Sequence, residues 1–106
     1  MQIEFLKQYK NKIVLITGVS GQVGGFTVKF FLKLGCIVYG IDIKKSKIKS
    51  SKFIFKKLDI SDELKTQNFI NEIYRKHKRI DVVINNAAIS YKTNFKNRTS
   101  KELKET

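Results

Sequence analysis

The segment Thr17-Gly18-Val19-Ser20-Gly21-Gln22-Val23-Gly24 decides how this chain folds. It follows an apolar, β-branched run at residues 13–16 and precedes a stretch whose apolar residues recur at helical spacing. A buried strand that passes through glycines into a helix is the opening unit of a nucleotide-binding α/β fold. In such a unit Gly18 makes the tight turn, Gly21 lets the backbone approach a pyrophosphate, and Gly24 lets helix and strand pack closely. A role for these glycines in a tight turn alone is the less favoured alternative.

The rest of the sequence predicts strands and helices in alternation. Gly35 ends the first helix, whose sheet-facing side is predicted from the spacing of Val23, Phe26, Thr27, Phe30, Phe31 and Leu34. Further strands are predicted at 37–43, 53–58 and 80–85. A second helix is predicted from the Ser61-Asp62-Glu63 start to about Lys78, with a buried side of Leu64, Phe69, Ile70, Ile73, Tyr74 and His77. Thr99 is predicted to start a third helix.

This βαββαβ order predicts an α/β fold, a Rossmann-type open parallel sheet with helices on both faces, truncated after the fourth strand. With 106 residues and 42% hydrophobic content, the chain is predicted to form a single domain over residues 1–106 that is incomplete at its C-terminus. The fourth strand, at 82–84, is then expected to leave an apolar edge open, which predicts poor solubility or self-association.

Composition limits the cellular location and the types of redox and metal site that are expected. No run of residues is apolar and long enough for a membrane helix, and no secretory signal is recognisable, so a cytoplasmic protein without a membrane partner is expected. The single cysteine, Cys36, favours a small buried residue at the start of a strand over a redox role. No Cys and His cluster has metal-ligand spacing, so no metal site is predicted.

The formal net charge of +13 is the feature that most invites a nucleic-acid interpretation. Lysine occurs here together with abundant Ile, Asn and Phe. This favours a general bias in amino-acid composition, rather than a surface specific for nucleic acid, as the cause of the high lysine content. The seven lysines from Lys44 to Lys57 are accordingly interpreted as a solvated face. No specific nucleic-acid partner is expected, and a basic nucleic-acid-associated protein remains an alternative.

Asp42 ends the second strand at about the distance beyond Gly18 expected for an acid that binds both ribose hydroxyls of a dinucleotide. A carboxylate there repels a 2′-phosphate by roughly 1 to 4 kcal/mol, depending on the surrounding dielectric. NAD is therefore predicted over NADP. Lys44 and Lys45 oppose this preference, but an exposed ion pair contributes only about 0 to 1 kcal/mol.

Four landmarks along the chain resemble the short-chain dehydrogenase/reductase family over essentially its whole length. They are the glycine loop (residues 17–24), Asp42, Leu58-Asp59-Ile60, and the segment from Asp81 to Ala88, which contains Asn85-Asn86-Ala87. The resemblance implies that Asp59 meets the adenine amino group, although Asp59 alone is equally typical of a helix start. The predicted cofactor-binding residues are Gly18, Ser20, Gly21, Gln22, Val23, Gly24, Asp42, Ile43, Asp59, Ile60, Asn86, Ala87 and Ala88.

The chain mixes features of two branches of that family. Its glycine loop resembles the longer members that act on sugar nucleotides, whereas Asn85-Asn86-Ala87 resembles the shorter single-domain members, in which Ala88 would usually be glycine. This mixture is similar to oxidoreductases of surface-polysaccharide or flagellin-sugar biosynthesis. The resemblance implies a parent enzyme that oxidises an alcohol or reduces a carbonyl of a small-molecule substrate, and that forms a homo-oligomer when full length.

The family's catalytic tyrosine, lysine and serine lie beyond the fourth strand, so no catalytic residue is assigned and the chain alone is predicted to be inactive. A Tyr-x-x-x-Lys motif does occur at Tyr74 and Lys78, but it precedes that strand and is interpreted as coincidental. Tyr91 has Phe95 where the lysine would stand, and His77 has no nucleophile or ligand partner. A binding-only nucleotide module, which needs no tyrosine, is the alternative to an enzyme.

Overall fold

The structure is a computed structural model that describes residues 7–86. Within this range, the sheet has four parallel strands in the order β3-β2-β1-β4. The strands are β1 (Ile13–Thr17), β2 (Ile37–Asp42), β3 (Phe53–Lys57) and β4 (Val82–Asn85), and the helices that connect them are α1 (Gln22–Lys33) and α2 (Glu63–His77). The predicted Rossmann-type parallel sheet is confirmed, with element ends that differ from the predicted ones by one or two residues.

The register of the sheet brings the carboxyl ends of three strands together. Thr17, the last residue of β1, pairs with Ile41 of β2 on one side and with Asn85 of β4 on the other. At the opposite end, the Asp81 carboxylate accepts a hydrogen bond from the Ile13 amide at 2.7 Å, which aligns the starts of β1 and β4. The strands that border the glycine loop are therefore fixed relative to one another at both ends.

Each face of the sheet carries its own apolar core. On β1, Ile13 and Leu15 point to the face covered by α2, whereas the alternate residues point to the face covered by α1. The α2 side is filled by Tyr39, Ile41, Leu58, Phe69 and Ile73. The α1 side is filled by Val14, Ile16, Val19, Val28, Cys36, Val38 and Phe53. Helices thus cover both faces, as the alternation of elements predicts.

The predicted sheet-facing side of α1 is only partly correct, because its last two residues, Phe31 and Leu34, pack half-buried against the core but others do not. Val23, Phe26 and Phe30 are exposed, at 64%, 74% and 50% of their surface, and the buried residues of this helix are Gly24 and Val28. The helix is rotated because Gly24 lies against the backbone of the glycine loop. A glycine adds nothing to an apolar pattern, so periodicity alone cannot detect this orientation.

The predicted buried side of α2 is correct only in part. Phe69 and Ile73 are buried and Ile70 packs against them, but Leu64 is 72% exposed and Tyr74 is 50% exposed. The start of α2 is as predicted: Asp62 is the N-cap, and its Oδ1 accepts from the Lys65 amide at 3.1 Å. The predicted third helix at Thr99 lies outside the described residues.

Candidate functional site

The glycine loop is held to the end of β2 by backbone hydrogen bonds. Gly18 has φ +72°, a left-handed conformation that favours glycine, and its amide donates to the Ile41 carbonyl at 2.8 Å. The chain thus turns sharply between β1 and α1 while it remains bonded to the neighbouring strand. The tight turn predicted for Gly18 is present.

Gly24 and Gly21 are glycines for different reasons. A Cβ on Gly24 would lie 1.9 Å from the Gly18 carbonyl oxygen, so only glycine allows α1 to approach the loop this closely. A Cβ on Gly21 would meet no atom within 4 Å, and its φ of −84° suits any residue. The protein itself therefore requires Gly24, whereas the space beside Gly21 is open to a ligand.

The two helices start in opposite ways. α2 has an Asp62 side-chain cap and an acid, Glu63, in its first turn. In the described part of the chain, α1 has Gly21 at its N-cap, no side-chain hydrogen bond to its first amides, and no acid in its first turn. The first amides of a helix carry a partial positive charge and need acceptors. The first amides of α1 are therefore available to bind an anion that does not belong to the chain.

Asp42 connects the end of β2 to the glycine loop. Its Oδ2 accepts from the Ser20 amide at 2.9 Å, and its Oδ1 accepts from the Lys44 amide at 3.0 Å. The Ser20 hydroxyl completes the connection by donating to the Lys44 carbonyl at 2.5 Å. The carboxylate thus holds the loop and the residues after β2 in one arrangement.

A cavity of about 300 Å³ lies at the carboxyl ends of the strands, between the loop, β2 and the end of β4. Seven of the predicted cofactor residues line it, namely Gly18, Ser20, Gly21, Asp42, Ile43, Ile60 and Asn86. Gln22 lines an adjoining cavity that shares Ser20 and Gly21 with the first. Val23 and Gly24 line neither cavity, and Ala87 and Ala88 lie outside the described residues.

Four further residues line the same cavity but were not among the predicted cofactor-binding residues, namely Thr17, Ile41, Lys44 and Leu58. Ile41 and Leu58 are buried and, with Ile60, give the cavity an apolar wall. Two of the four could have been predicted from the sequence. Thr17 is the last residue of β1 and Ile41 is next to the last residue of β2, and ligands of open parallel sheets bind beyond the carboxyl ends of the strands.

Asn85 and Asn86 have separate roles at the end of β4. The Thr17 hydroxyl donates to Asn85 Oδ1 at 2.6 Å, which ties β4 to β1. The Nδ2 atom of Asn86 is buried and has no hydrogen-bond partner among residues 7–86, and Asn86 lines the cavity. A buried amide without an acceptor costs about 1 to 3 kcal/mol, so its place at a cavity wall indicates a site for a polar ligand atom.

Asp59 does not line this cavity. Its Oδ1 accepts from the Ser61 amide at 2.9 Å and from the Ser61 hydroxyl at 2.7 Å, and these bonds hold the pKa of the Asp59 carboxyl below its usual value. It borders a smaller space next to Ile43 and Leu58, two residues that also line the main cavity. The geometry matches a helix-start acid, while the adenine contact implied by the resemblance stays a prediction.

The Tyr-x-x-x-Lys motif lies away from the cavity. Tyr74 is in the last turn of α2, and Lys78 follows that helix as its left-handed C-cap. Because α2 leads back to the start of β4, both residues lie towards the amino ends of the strands, opposite the cavity. Within residues 7–86 there is also no group of three potential metal ligands, and no helix is long and apolar enough to cross a membrane.

The chain resembles proteins of known family in both sequence and structure. It is 32% identical over 87 residues to benzil reductase ((S)-benzoin forming) of Saccharomyces cerevisiae, covering 74% of this chain and 33% of the relative. It is 28% identical over 89 residues to meso-2,3-butanediol dehydrogenase of Serratia marcescens, covering 77% of this chain and 36% of the relative. The chain thus spans about a third of the length of these curated relatives.

Among solved structures, a short chain dehydrogenase from Leptospira borgpetersenii with bound NAD+ superposes with a TM-score of 0.70 at 28% identity, covering 76% of this chain and 33% of that one. The family model described as short chain dehydrogenase matches residues 12–106. That match includes the glycine loop, the cavity and the Asn85-Asn86 segment described above. The chain therefore belongs to the short-chain dehydrogenase family.

Proposed function

We propose that this chain is the NAD-binding portion of an oxidoreductase that transfers hydride between the nicotinamide and an alcohol or carbonyl. The observation that carries the proposal is the position of Asp42, whose carboxylate lines the cavity while it holds the Ser20 amide of the glycine loop at 2.9 Å. An acid at the end of the second strand, beside a glycine loop, is the arrangement that binds a dinucleotide ribose.

The other residues of the cavity fit the parts of a dinucleotide. The uncapped start of α1 and the open space at Gly21 suit a pyrophosphate. The apolar wall of Ile41, Leu58 and Ile60 suits an adenine ring, and the unpartnered Asn86 amide suits a polar atom of the adjacent ribose. A carboxylate accepts several hydrogen bonds, so Asp42 has capacity for ribose hydroxyls beyond the two backbone amides that it already receives.

Asp42 also favours NAD over NADP in this proposal. A 2′-phosphate would stand against a carboxylate at the cavity wall, and that repulsion amounts to roughly 1 kcal/mol in water and roughly 4 kcal/mol near a protein surface. Lys44 lines the cavity too, but its side chain is exposed, and an exposed ion pair offsets only about 0 to 1 kcal/mol.

NAD, when bound, would supply the hydride acceptor or donor, and these residues would bind and orient it. We place the acid, the base and the substrate contacts in the rest of the parent protein, so the 106-residue chain is expected to bind without catalysing. The proposed substrate is a small alcohol or carbonyl compound, with a sugar or sugar nucleotide as the narrower suggestion from the loop pattern. In this proposal the parent protein is cytoplasmic and homo-oligomeric.

Calorimetric titration of the purified chain with NAD and with NADP tests the binding step. We expect saturable NAD binding and at least tenfold weaker NADP binding. Absence of a response to both dinucleotides would contradict the proposal, and equal affinities would contradict the role given to Asp42. Absorbance at 340 nm with NAD and a set of simple alcohols is expected to stay constant, because the proposal places the groups that move the proton in the rest of the parent protein.

A further inference from the structure

Charge is distributed unevenly over the two faces of the described sheet. The face formed by α1 and the β2–β3 loop (residues 43–52) carries seven lysines and no acid. The face formed by residues 59–79 mixes five basic residues with four acids, namely Asp59, Asp62, Glu63 and Glu72. A general abundance of lysine explains the net charge, but it does not predict this separation between faces.

Five of the seven lysines of the first face line a groove between α1 and the β2–β3 loop. Two contiguous cavities, of about 480 and 410 Å³, form this groove and share Lys29, Lys47 and Ile48. We define the lysine groove by the basic residues on its two walls, which are Lys29 and Lys33 from α1 and Lys45, Lys47 and Lys49 from the loop. None of these five forms an ion pair with an acid in the described part of the chain.

An aromatic side chain stands in the same groove. Phe26 lines the cavity nearer the glycine loop and is 74% exposed, and Phe30 lies one turn further along the exposed side of α1. A positively charged groove beside exposed aromatic rings is the combination that binds single-stranded nucleic acid, because lysines contact phosphates and bases stack on the rings. A membrane surface is flat and engages a convex apolar face, so it fits a two-walled groove less well.

From this arrangement we infer that the lysine groove binds single-stranded nucleic acid without sequence preference. The groove adjoins the cavity proposed for NAD, and Ser20 and Gly21 border both, but none of the five groove lysines lines that cavity. Its contacts are to phosphates and ring faces, and neither carries sequence information. The inference does not depend on NAD binding, which the titration described above measures by itself.

Fluorescence anisotropy of a labelled oligouridine of about 12 nucleotides, titrated with the 106-residue chain from about 50 to about 200 mM salt, tests this inference. The variant Lys29→Gln/Lys33→Gln/Lys47→Gln is expected to bind at least tenfold more weakly. The slope of log K against log salt is expected to fall in magnitude by about 2, since each phosphate contact to a single strand contributes about 0.7. The matched control Lys65→Gln/Arg75→Gln/Lys76→Gln, with the same loss of charge on the other face, is expected to change affinity less than twofold. Equal weakening of oligouridine binding by both triple variants would show that net charge alone attracts the oligouridine. It would overturn the inference that the lysine groove is the binding site.

Phe26→Leu separates stacking from general apolar contact. Because Phe26 is exposed, the substitution leaves the fold intact, and circular dichroism checks this. We expect at least threefold weaker binding to the oligouridine and unchanged sedimentation with phosphatidylserine vesicles. Binding to the vesicles without binding to the oligouridine would overturn the inference in favour of a membrane surface. Oligouridine affinity unaffected by Phe26→Leu would overturn the stacking role.

Discussion

The amide of Ser20 in the glycine loop donates to the Asp42 carboxylate at the end of β2, across 2.9 Å. The acid proposed to hold the ribose therefore also holds the loop proposed to hold the pyrophosphate. The two parts of the candidate site are therefore coupled through one side chain.

Asp42→Ala is expected to weaken NAD binding about tenfold or more, because a hydrogen bond to a charged group contributes about 1.5 to 3 kcal/mol and the loop also loses its anchor. NADP binding should weaken less, since the repulsion of the 2′-phosphate is removed as well. Calorimetry on both dinucleotides measures the ratio. Glu72→Gln, which removes a charge from exposed α2 surface, serves as the control and should leave both affinities unchanged.

Gly21→Asp is expected to abolish NAD binding and to leave the free energy of unfolding unchanged or raised by a few tenths of a kcal/mol. The added side chain meets no protein atom within 4 Å, and Asp is a better N-cap than glycine. Its carboxylate would occupy and repel the proposed pyrophosphate position. Ser51→Asp adds the same charge in the exposed β2–β3 loop and should bind NAD normally. Retained NAD binding in Gly21→Asp would show that the start of α1 does not bind the pyrophosphate.

Gly24→Ala is expected to lower the free energy of unfolding by about 1 to 3 kcal/mol or more, because its Cβ would lie 1.9 Å from the backbone oxygen of Gly18. Gly25→Ala is the matched control one residue further along α1. Its Cβ would be 3.7 Å from the nearest atom, so it should raise stability by up to about 1 kcal/mol through helix propensity. Urea denaturation followed by circular dichroism compares the two. Similar effects of both variants would contradict the close packing at Gly24.

Asp59→Asn tests which role the acid after β3 plays. The carboxylate accepts two hydrogen bonds from Ser61 and does not line the main cavity, so we expect less than a twofold change in NAD affinity and a small loss of stability. The same calorimetric and urea measurements apply. A tenfold loss of NAD affinity at unchanged stability would establish the adenine contact that the family resemblance implies.

His77 is expected to make stability depend on pH between about 7.5 and 5.5. Burial, together with Lys76 and Arg79, lowers the pKa of His77 below its usual 6.5, and its Nε2 lies 2.7 Å from the Tyr39 hydroxyl. The folded state therefore binds fewer protons than the unfolded chain as pH falls below 6.5. Stability is greatest above that pH and decreases as pH falls through the lowered pKa.

His77→Gln removes the titration and keeps a hydrogen-bonding group for Tyr39. Urea denaturation at both pH values should show a smaller loss of stability on acidification than in the unsubstituted chain. This histidine is the only one in the sequence, and the carboxylates with lowered pKa, Asp59 and Asp81, titrate below the chosen range. An identical pH dependence in both proteins would contradict the assignment.

The sequence predicted the elements that depend on local signals. The start of α2 follows from Asp62 and Glu63, and the turn after β1 follows from Gly18, because capping and left-handed glycine are properties of a few neighbouring residues. The parallel order followed from the alternation of strands and helices. The candidate site was found in outline for the same reason, since the loop and the strand-end acid have a fixed spacing.

The orientation of α1 could not be predicted because it depends on contact between residues that carry no side chain. Gly24 packs on the Gly18 carbonyl, and this contact turns Phe26 and Phe30 outward although their spacing is that of a buried stripe. The lysine groove was missed for a related reason. Its walls come from α1 and from the loop after β2, and only the tertiary structure shows that the two face each other.

The uncapped start of α1 has an evolutionary consequence. Each molecule without a ligand leaves its first helical amides without a side-chain acceptor, although a single substitution at position 21 would supply one. Selection for folding alone would favour that substitution, whereas selection for the proposed dinucleotide would oppose it. Descendants of this chain that have lost nucleotide binding are therefore expected to carry Ser, Asp or Asn at position 21 and to retain Gly24. Residues 21 and 24 together would then distinguish descendants that keep only the fold from those that also keep nucleotide binding.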